Sequence, residues 1–384
     1  MKKSPLLFAW FLCCYFYAAN CMAQEKPMII TSPGMPFVSL EERQLIQNEP
    51  VDFNLPKPTG INTSFRYAAA RAIPGVVHII ATYEPGFKGL DEYGFRARED
   101  HPGMSPAVLE QGPVTGSASG VIITPDGYVV TNYHVANRAE SLEVVLANRR
   151  SFKARIIGMD SLTDIALLKI SEQSLPFVRF GSMDSVAVGD WVLAIGSPMG
   201  MNSTVTAGIV SAKSRIFTSQ EEQGQLSSFI QTDAVMNSGN SGGALVDING
   251  RLIGINVGIL TPTGNFAGYS FAIPVEVVKK VCNDLLRNGR AIRASLGVYI
   301  TNTPGMPGVL VYKLVDKGAA AKGGIQVEDI IKEIDNGEIR SVGDIQQTLV
   351  LHHPGDKIHL KVIRKGKLVS CEVILGGTQG VMEM

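Results

Sequence analysis

The sequence predicts a mainly β protein: a larger all-β unit followed by a smaller unit that mixes strands and one helix. Three observations carry this. Short apolar or alternating runs recur from residue 76 to residue 257, broken by turn residues every 8–12 positions or so, the pattern of a β-sandwich or barrel. One stretch with helical period follows at 275–287, with Val277, Val278, Val281, Leu285 and Leu286 on one face and Asn288 and Gly289 as a stop. A new strand, turn and helix pattern then occupies 291–384.

Taken in order, Lys2 and Lys3 precede an apolar stretch over 6–19, and Cys21-Met-Ala23 offers small residues at a cleavage site. Residues 1–23 therefore read as an export signal cut after Ala23, with a periplasmic destination. A lipoprotein box at Ala18-Ala-Asn-Cys21 and an uncleaved anchor are the two other readings. Residues 24–64, rich in Pro, Asn and Thr, read as an exposed arm or tether with a short helix at 39–47, capped by Ser39 with Glu42 three residues on. Residues 65–72 are helical, 76–80 form a strand, and 83–115 form a long charged loop. Residues 120–131 are two strands joined by Pro125-Asp-Gly127. Further strands are expected at 142–146, 151–158, 165–170, 191–195, 204–211, 229–231, 244–247 and 252–257. In the smaller unit, 309–314 and 330–334 are strands, 344–352 is a helix, and 358–364 with 369–375 form a hairpin.

Composition excludes several classes of function. The 35 basic residues balance 35 acidic ones, so no global field draws the chain to nucleic acid. No apolar run reaches the roughly 18–20 residues that span a bilayer. Three of the five cysteines lie in the leader, and Cys282 and Cys371 are too isolated for a disulfide framework, so both are expected as free thiols. No metal-ligand cluster and no phosphate-binding loop is visible, so neither metal nor cofactor is expected.

The stretch 230–245 carries the chemistry. An apolar run leads into Asn237-Ser-Gly-Asn-Ser-Gly-Gly243, where glycines allow a sharp turn and close approach of backbone N–H groups. The structural reading is a hairpin loop; the chemical one makes Ser241 a nucleophile beside an oxyanion site. A serine hydroxyl needs a base. Of six histidines, His134 stands at a strand end, whereas His78 sits within an apolar strand and reads as a satisfied core or surface residue. For the acid that orients an imidazole, Asp164 precedes a buried strand, and Asp160 is a competitor better suited to capping a turn. Gly239-Asn-Ser-Gly-Gly243 also fits the α/β-hydrolase elbow, but a helix after the serine and a later histidine in the same domain are missing.

Over residues 65–288 the chain resembles the protease domain of the HtrA family of serine endopeptidases. The resemblance rests on Ser119-Gly-Val-Ile-Ile-Thr-Pro-Asp-Gly-Tyr-Val-Val-Thr-Asn-Tyr-His-Val135, Thr163-Asp-Ile-Ala-Leu-Leu-Lys-Ile170, Ala194-Ile-Gly-Ser-Pro-Met-Gly200, Thr206-Ala-Gly-Ile-Val-Ser-Ala212, Asn237-Ser-Gly-Asn-Ser-Gly-Gly243 and Phe271-Ala-Ile-Pro274, in order. It implies a chymotrypsin-like pair of six-stranded β-barrels with His134, Asp164 and Ser241 as the triad. It further implies an oxyanion hole at Gly239, Asn240 and Ser241, with the N–H groups of Gly239 and Ser241 as donors. Val235 would floor a pocket for a small or apolar side chain, and Ile255, Asn256, Val257 and Gly258 would pair with an extended substrate. The family usually has Pro at Ser238, Asn at Tyr133, and Asn-Pro-Phe-Gly at Ser197-Pro-Met-Gly200.

Residues 291–384 resemble one α+β PDZ domain. Leu296, Gly297 and Val298 would form the carboxylate-binding loop, Val298 to Ile300 the strand edge, and Ile345 with Leu349 the apolar groove, although the last two also suit a core. The expected partners are unfolded proteins, hydrophobic C-terminal peptides, and further copies of the chain in a homotrimer or larger assembly through residues near Phe65 and Tyr67. The expected role is ATP-independent quality control of envelope proteins. Two other roles stay open: a chaperone with incidental proteolysis, and a membrane-tethered stress sensor with a single regulatory substrate.

Overall fold

The computed structural model describes residues 37–45, 65–84, 114–198, 203–216, 228–237, 239–258, 268–302, 305 and 308–377. The expected leader and most of the expected loop at 83–115 lie outside these residues. Helices are α1 (Leu40–Leu45), α2 (Phe65–Ala72), α3 (Tyr133–Ala136), α4 (Val275–Asn288), α5 (Ala319–Lys322) and α6 (Val342–Val350).

Strands β1 (Val76–Tyr83), β2 (Val114–Ile122), β3 (Tyr128–Thr131), β4 (Ala139–Val145), β5 (Ser151–Asp160) and β6 (Ile165–Lys169) close into one barrel in the order β1-β2-β3-β6-β5-β4. Strands β7 (Trp191–Gly196), β8 (Thr204–Ile216), β9 (Ser228–Thr232), β10 (Ala244–Asp247), β11 (Leu252–Gly258) and β12 (Ser270–Pro274) close into a second, in the order β10-β11-β12-β9-β8-β7. Two closed six-stranded barrels are the architecture the resemblance implied.

Strand alternation explains why these sequences read as nearly continuous apolar runs. Val77, Ile79, Ala81, Ile122, Val129 and Leu168 fill the first barrel. Their alternates Val76, Val121, Ile123 and Val130 leave it and join Leu193, Ile195, Ala244, Val246 and Leu252 in a second core shared by the two barrels. Helix α4 seals that core with Val277, Val278, Val281, Leu285 and Leu286, the face expected from the sequence. Gly289, at φ +69°, closes α4 by donating its N–H to the Leu285 carbonyl at 2.9 Å.

Part of the expected exposed arm is docked instead. Ser39 caps α1 as expected, accepting from the Glu42 N–H at 3.2 Å while the Glu42 carboxylate accepts from the Ser39 N–H at 2.8 Å. Leu40 is fully buried in the shared core. Gln44 ties the end of β2 to the segment between β6 and β7: its Nε2 donates to the Ile123 carbonyl (2.8 Å) and the Val178 carbonyl (3.2 Å), and its Oε1 accepts from the Phe180 N–H (3.1 Å). A buried amide satisfied at both ends fixes register as well as position.

The C-terminal unit contains β13 (Ala294–Ser295), β14 (Val298–Asn302), β15 (Val309–Leu314), β16 (Ile330–Ile334), β17 (Gly337–Glu338), β18 (Lys357–Arg364), β19 (Lys367–Ile374) and β20 (Gly376–Gly377). Its main sheet runs β14-β15-β16-β18-β19, which leaves β14 at an edge beside α6. Helix α6 begins two residues before its expected start because Ser341 caps it, exchanging hydrogen bonds with Asp344. Val350, at the end of α6, inserts into the core shared by the barrels. The buried Asp284 of α4 holds Lys280 Nζ at 2.8 Å, the Ile292 N–H at 2.9 Å and His353 Nε2 at 3.0 Å, joining the two units.

Candidate active site

His134 lies just past β3. Asn132 leaves the strand in an extended conformation and starts the single turn of α3, which carries His134. The buried Tyr83 hydroxyl donates to the Val135 carbonyl at 2.7 Å and braces that turn. Burial pushes the Tyr83 phenol up to about 12, so it remains a neutral donor at physiological pH.

Asp164 occupies the left-handed region at φ +53°. Asp has access to that region but prefers others, so neighbours must hold it there. Asp160 accepts from the Thr163 N–H (3.2 Å) and hydroxyl (2.5 Å) just before it, and Asn132 Nδ2 donates to the Asp164 carbonyl at 3.1 Å. The carboxylate then meets His134 twice. Oδ1 accepts from the His134 backbone N–H at 3.0 Å, and Nδ1 lies 2.8 Å from Oδ2 and 3.0 Å from Oδ1. A carboxylate only accepts, so Nδ1 carries the proton and Nε2 is the basic nitrogen of the neutral ring. Asp164, the aspartate preferred from the sequence over Asp160, meets the imidazole. Asp160 caps the turn and pairs with Arg293 at 2.6 Å.

The turn around Ser241 is pinned peptide by peptide. Gly239 has φ +94° and Gly242 φ +80°. A Cβ on Gly242 would lie 2.1 Å from the Ser119 carbonyl oxygen and 2.4 Å from Thr131 Oγ1, so only glycine lets this turn sit against the first barrel. The Asn240 N–H donates to the Asn237 carbonyl at 3.0 Å, and the Asn240 carbonyl accepts from the Gly243 N–H at 2.9 Å. In a trans peptide the Ser241 N–H points opposite to that engaged Asn240 carbonyl. The Ser241 hydroxyl donates to the Val257 carbonyl at 2.9 Å. Ser238 lies outside the described residues.

The other expected site residues divide. Val235 is half-buried beyond β9, its carbonyl accepting from Thr206 Oγ1 at 2.7 Å. Ile255 and Asn256 are a correction to the expected substrate edge. Ile255 pairs with Ala244 on one side and Ile273 on the other. Asn256 donates to the Gly243 carbonyl at 2.9 Å, accepts from the Gly242 N–H at 2.8 Å, and pairs with Ala272. A strand bonded on both edges has nothing left for a peptide, so Ile255 and Asn256 offer no edge. In the PDZ unit, Ile345 and Leu296 are buried core residues, whereas Leu349, Val298 and Ile300 are half-buried beside the free edge of β14. Gly297, at φ +71°, donates its N–H to Ser295 Oγ at 3.2 Å.

Comparison with known proteins bears on the family. A trypsin-like peptidase domain model matches residues 118–255, and a PDZ domain model matches residues 294–375. A probable periplasmic serine endoprotease, DegP-like, of Pseudomonas fulva (strain 12-X) is 35% identical over 388 residues, covering 98% of this chain and 75% of that protein. The chain belongs to the HtrA family. A DegP-like relative of Chlamydia trachomatis is 36% identical over 340 residues, covering 82% of this HtrA chain and 68% of its own length. Among solved structures, the HtrA-type protease AlgW with decapeptide is 34% identical at a TM-score of 0.61, covering 83% of this chain and all of that one. The serine endoprotease from Yersinia pestis is 33% identical at 0.55, with coverage of 84% and 100%. As an HtrA protein, the chain is a serine endopeptidase with one PDZ domain.

Sequence reasoning did not assign Asn132, Thr163, Tyr83 or Ser119 to the site. Asn132, Tyr83 and Ser119 act on backbone 32 to 120 residues away in the chain, Thr163 engages the Asp160 carboxylate three residues back, and the residue types alone carry no mark of either.

Proposed function

We propose that the protein is an ATP-independent, periplasmic endopeptidase that cuts unfolded envelope proteins, with Ser241 as nucleophile, His134 as general base and then acid, and Asp164 as the residue that orients and stabilises the imidazolium. The observation that carries this reading is the Asp164 carboxylate receiving both the backbone N–H and Nδ1 of His134, which leaves Nε2 basic. The periplasmic location is supported by the names of the relatives.

Ser241 Oγ attacks the scissile carbonyl carbon as its proton passes to His134 Nε2. The new oxyanion is held by the N–H groups of Gly239 and Ser241, and collapse of the tetrahedral intermediate expels the amine, which takes the proton back from His134. Water repeats the sequence on the acyl-enzyme. An extended substrate that donates an N–H to the Val257 carbonyl displaces the Ser241 hydroxyl from it and frees the proton for the base. Val235 favours a small or apolar side chain before the cleaved bond.

The PDZ unit binds hydrophobic C-terminal peptides along β14 and Leu349. This proposal draws on solved relatives described with decapeptide and tripeptide. Insertion of Val350 from α6 into the protease core favours a second reading, in which such peptides regulate cleavage of one substrate. The chain assembles as a homotrimer. Tyr67 is buried within the protomer, so the exposed Trp191, packed 5.2 Å between centroids against the half-buried Phe65, is the better contact.

The test is cleavage of casein by wild type and Ser241→Ala, with and without a hydrophobic C-terminal peptide. Wild type cleaves and the variant does not; equal cleavage by both removes the assignment. Stimulation by peptide that is lost on deleting residues 291–384 selects the regulatory reading.

A further inference from the structure

We propose that Ser119 is a positioning residue for the oxyanion hole, working with His78 as a clamp through which the first barrel sets the turn of the second. The proposal rests on Ser241 being the nucleophile.

Strand alternation sends Ser119 out of the first barrel on the same side as Val121 and Ile123, towards the second. His78 lies directly opposite Ser119 on β1 and leaves on that side as well. Both are buried, Ser119 at 0% exposure and His78 at 5%. Polar residues so placed need partners, and these two find theirs on one residue of the second barrel. Ser119 Oγ accepts from the Ser197 N–H at 2.8 Å, and His78 Nδ1 meets the Ser197 carbonyl at 2.8 Å. The carbonyl only accepts, so Nδ1 carries a proton; burial lowers the pKa of the ring below its ordinary value and keeps it neutral. Both backbone polar groups of Ser197 are therefore gripped from the first barrel.

The single proton of Ser119 goes elsewhere. Its Oγ donates to the Gly239 carbonyl at 2.6 Å, and its backbone N–H donates to the Ser241 carbonyl at 2.9 Å. The peptide between Gly239 and Asn240 is thus held at both ends, its oxygen by Ser119 and its N–H by the Asn237 carbonyl. With that plane fixed, only the φ and ψ of Gly239 itself decide where its own N–H points. Pro198, next to the gripped Ser197, lies against Gly239, where an added Cβ would come 2.7 Å from the proline Cβ. The clamp therefore acts twice on the oxyanion turn, once through a hydrogen bond and once through the wall that Ser197 and Pro198 provide. Glycine at 239 has little stiffness of its own; Ser119 supplies the stiffness.

A residue that aims an oxyanion donor affects the transition state more than substrate binding. Losing such a donor outright costs about 10²–10³ in turnover, so misaiming one costs about 10–100-fold. The experiment measures kcat and KM on a fluorogenic peptide, affinity for a peptide boronate that mimics the tetrahedral intermediate, and affinity for a non-covalent product peptide. The variants are Ser119→Ala, Ser119→Thr and Ser241→Ala. In Ser119→Ala, kcat falls about 10–100-fold with KM within about threefold. Boronate affinity falls by the same factor while product-peptide affinity stays; Ser119→Thr, which keeps Oγ, recovers most of the loss. The proposal is overturned if Ser119→Ala turns over within twofold of wild type, or if product-peptide binding falls as much as boronate binding. Should Ser119→Ala fail to fold, Ser119→Cys, with similar volume and a weak donor, carries the same measurements. Residual cleavage by Ser241→Ala would remove the nucleophile assignment instead, which separates the two failures.

Discussion

Replacing Asp164 by Asn tests the proposed chemistry with almost no change in shape. In the wild type, Oδ1 accepts the His134 backbone N–H at 3.0 Å, and Oδ2 sits 2.8 Å from Nδ1. An asparagine side chain has one oxygen and one NH₂. The backbone N–H of His134 can only donate, so the oxygen takes the Oδ1 place and the NH₂ faces Nδ1. Nδ1 must then accept, and the ring proton moves to Nε2. A base protonated on the nitrogen that faces the nucleophile cannot take its proton. The same tautomer reversal in the Ser-His-Asp template costs about 10⁴ in kcat, or about 5.4 kcal/mol at 1.36 kcal/mol per decade. The assay is steady-state hydrolysis of a fluorogenic peptide, with folding of the variant checked by thermal denaturation. Asp160→Asn is the control: it weakens the Arg293 pair and the cap on Thr163 but leaves a carboxylate on His134, so its kcat stays within about tenfold of wild type. An Asp164→Asn enzyme with more than a tenth of wild-type turnover would refute the tautomer reasoning. A larger loss in Asp160→Asn than in Asp164→Asn would move the orienting role to Asp160.

Three further outcomes follow from packing and charge. Leu40→Ala, at a fully buried position between the barrels, should cost about 2–5 kcal/mol in urea unfolding; a loss below about 0.5 kcal/mol would mean that α1 contributes little to the native state. Arg293→Ala strands the buried Asp160 carboxylate without its cation and should cost about 3–5 kcal/mol, read as a lowered Tm, whereas an unchanged Tm would mark the pair as solvated. His78→Asn should flatten the pH dependence of stability. The folded ring titrates below the unfolded value of 6.5, so as pH falls through 6.5 the unfolded chain takes up a proton that the native protein refuses, and wild-type stability drops. Above that window the two states hold equal protons at this site and its contribution is constant. Parallel Tm curves for wild type and His78→Asn between pH 7 and pH 5 would contradict this.

Much of the architecture was legible because barrel strands are buried on both faces and announce themselves as apolar runs between turn residues. The α4 helix was legible for the corresponding reason: one apolar face and a glycine stop. The site was legible where chemistry restricts the residue type, at Ser241, His134 and an aspartate beside a strand. The sequence favours Asp164 over Asp160 because Asp160 suits a turn cap, and the structure adds the reason the Asp164 carboxylate reaches His134, the left-handed backbone at 164. The substrate edge was overextended because a strand sequence does not show which of its sides is already bonded, and Ile255 and Asn256 are bonded on both.

Other features had no local signature at all. Residues 37–45 read as an exposed arm because their neighbours are polar and aperiodic, but the three partners of Gln44 come from chain 79 and more residues away. His78 was read as a satisfied histidine, and it is one. What makes it informative is the partner, the Ser197 carbonyl, 119 residues on and in the other barrel. Strand period alone gives the direction of a side chain. Once the barrel is closed, a polar residue pointing outward from an otherwise apolar strand must be met by something from outside that barrel. For His78 and Ser119, paired across adjacent strands, the surface that meets them among the described residues is the one carrying Ser197 and the Ser241 turn. Paired polar positions of this kind, on strands that face a second barrel, are therefore where residues that hold an active-site turn should be sought.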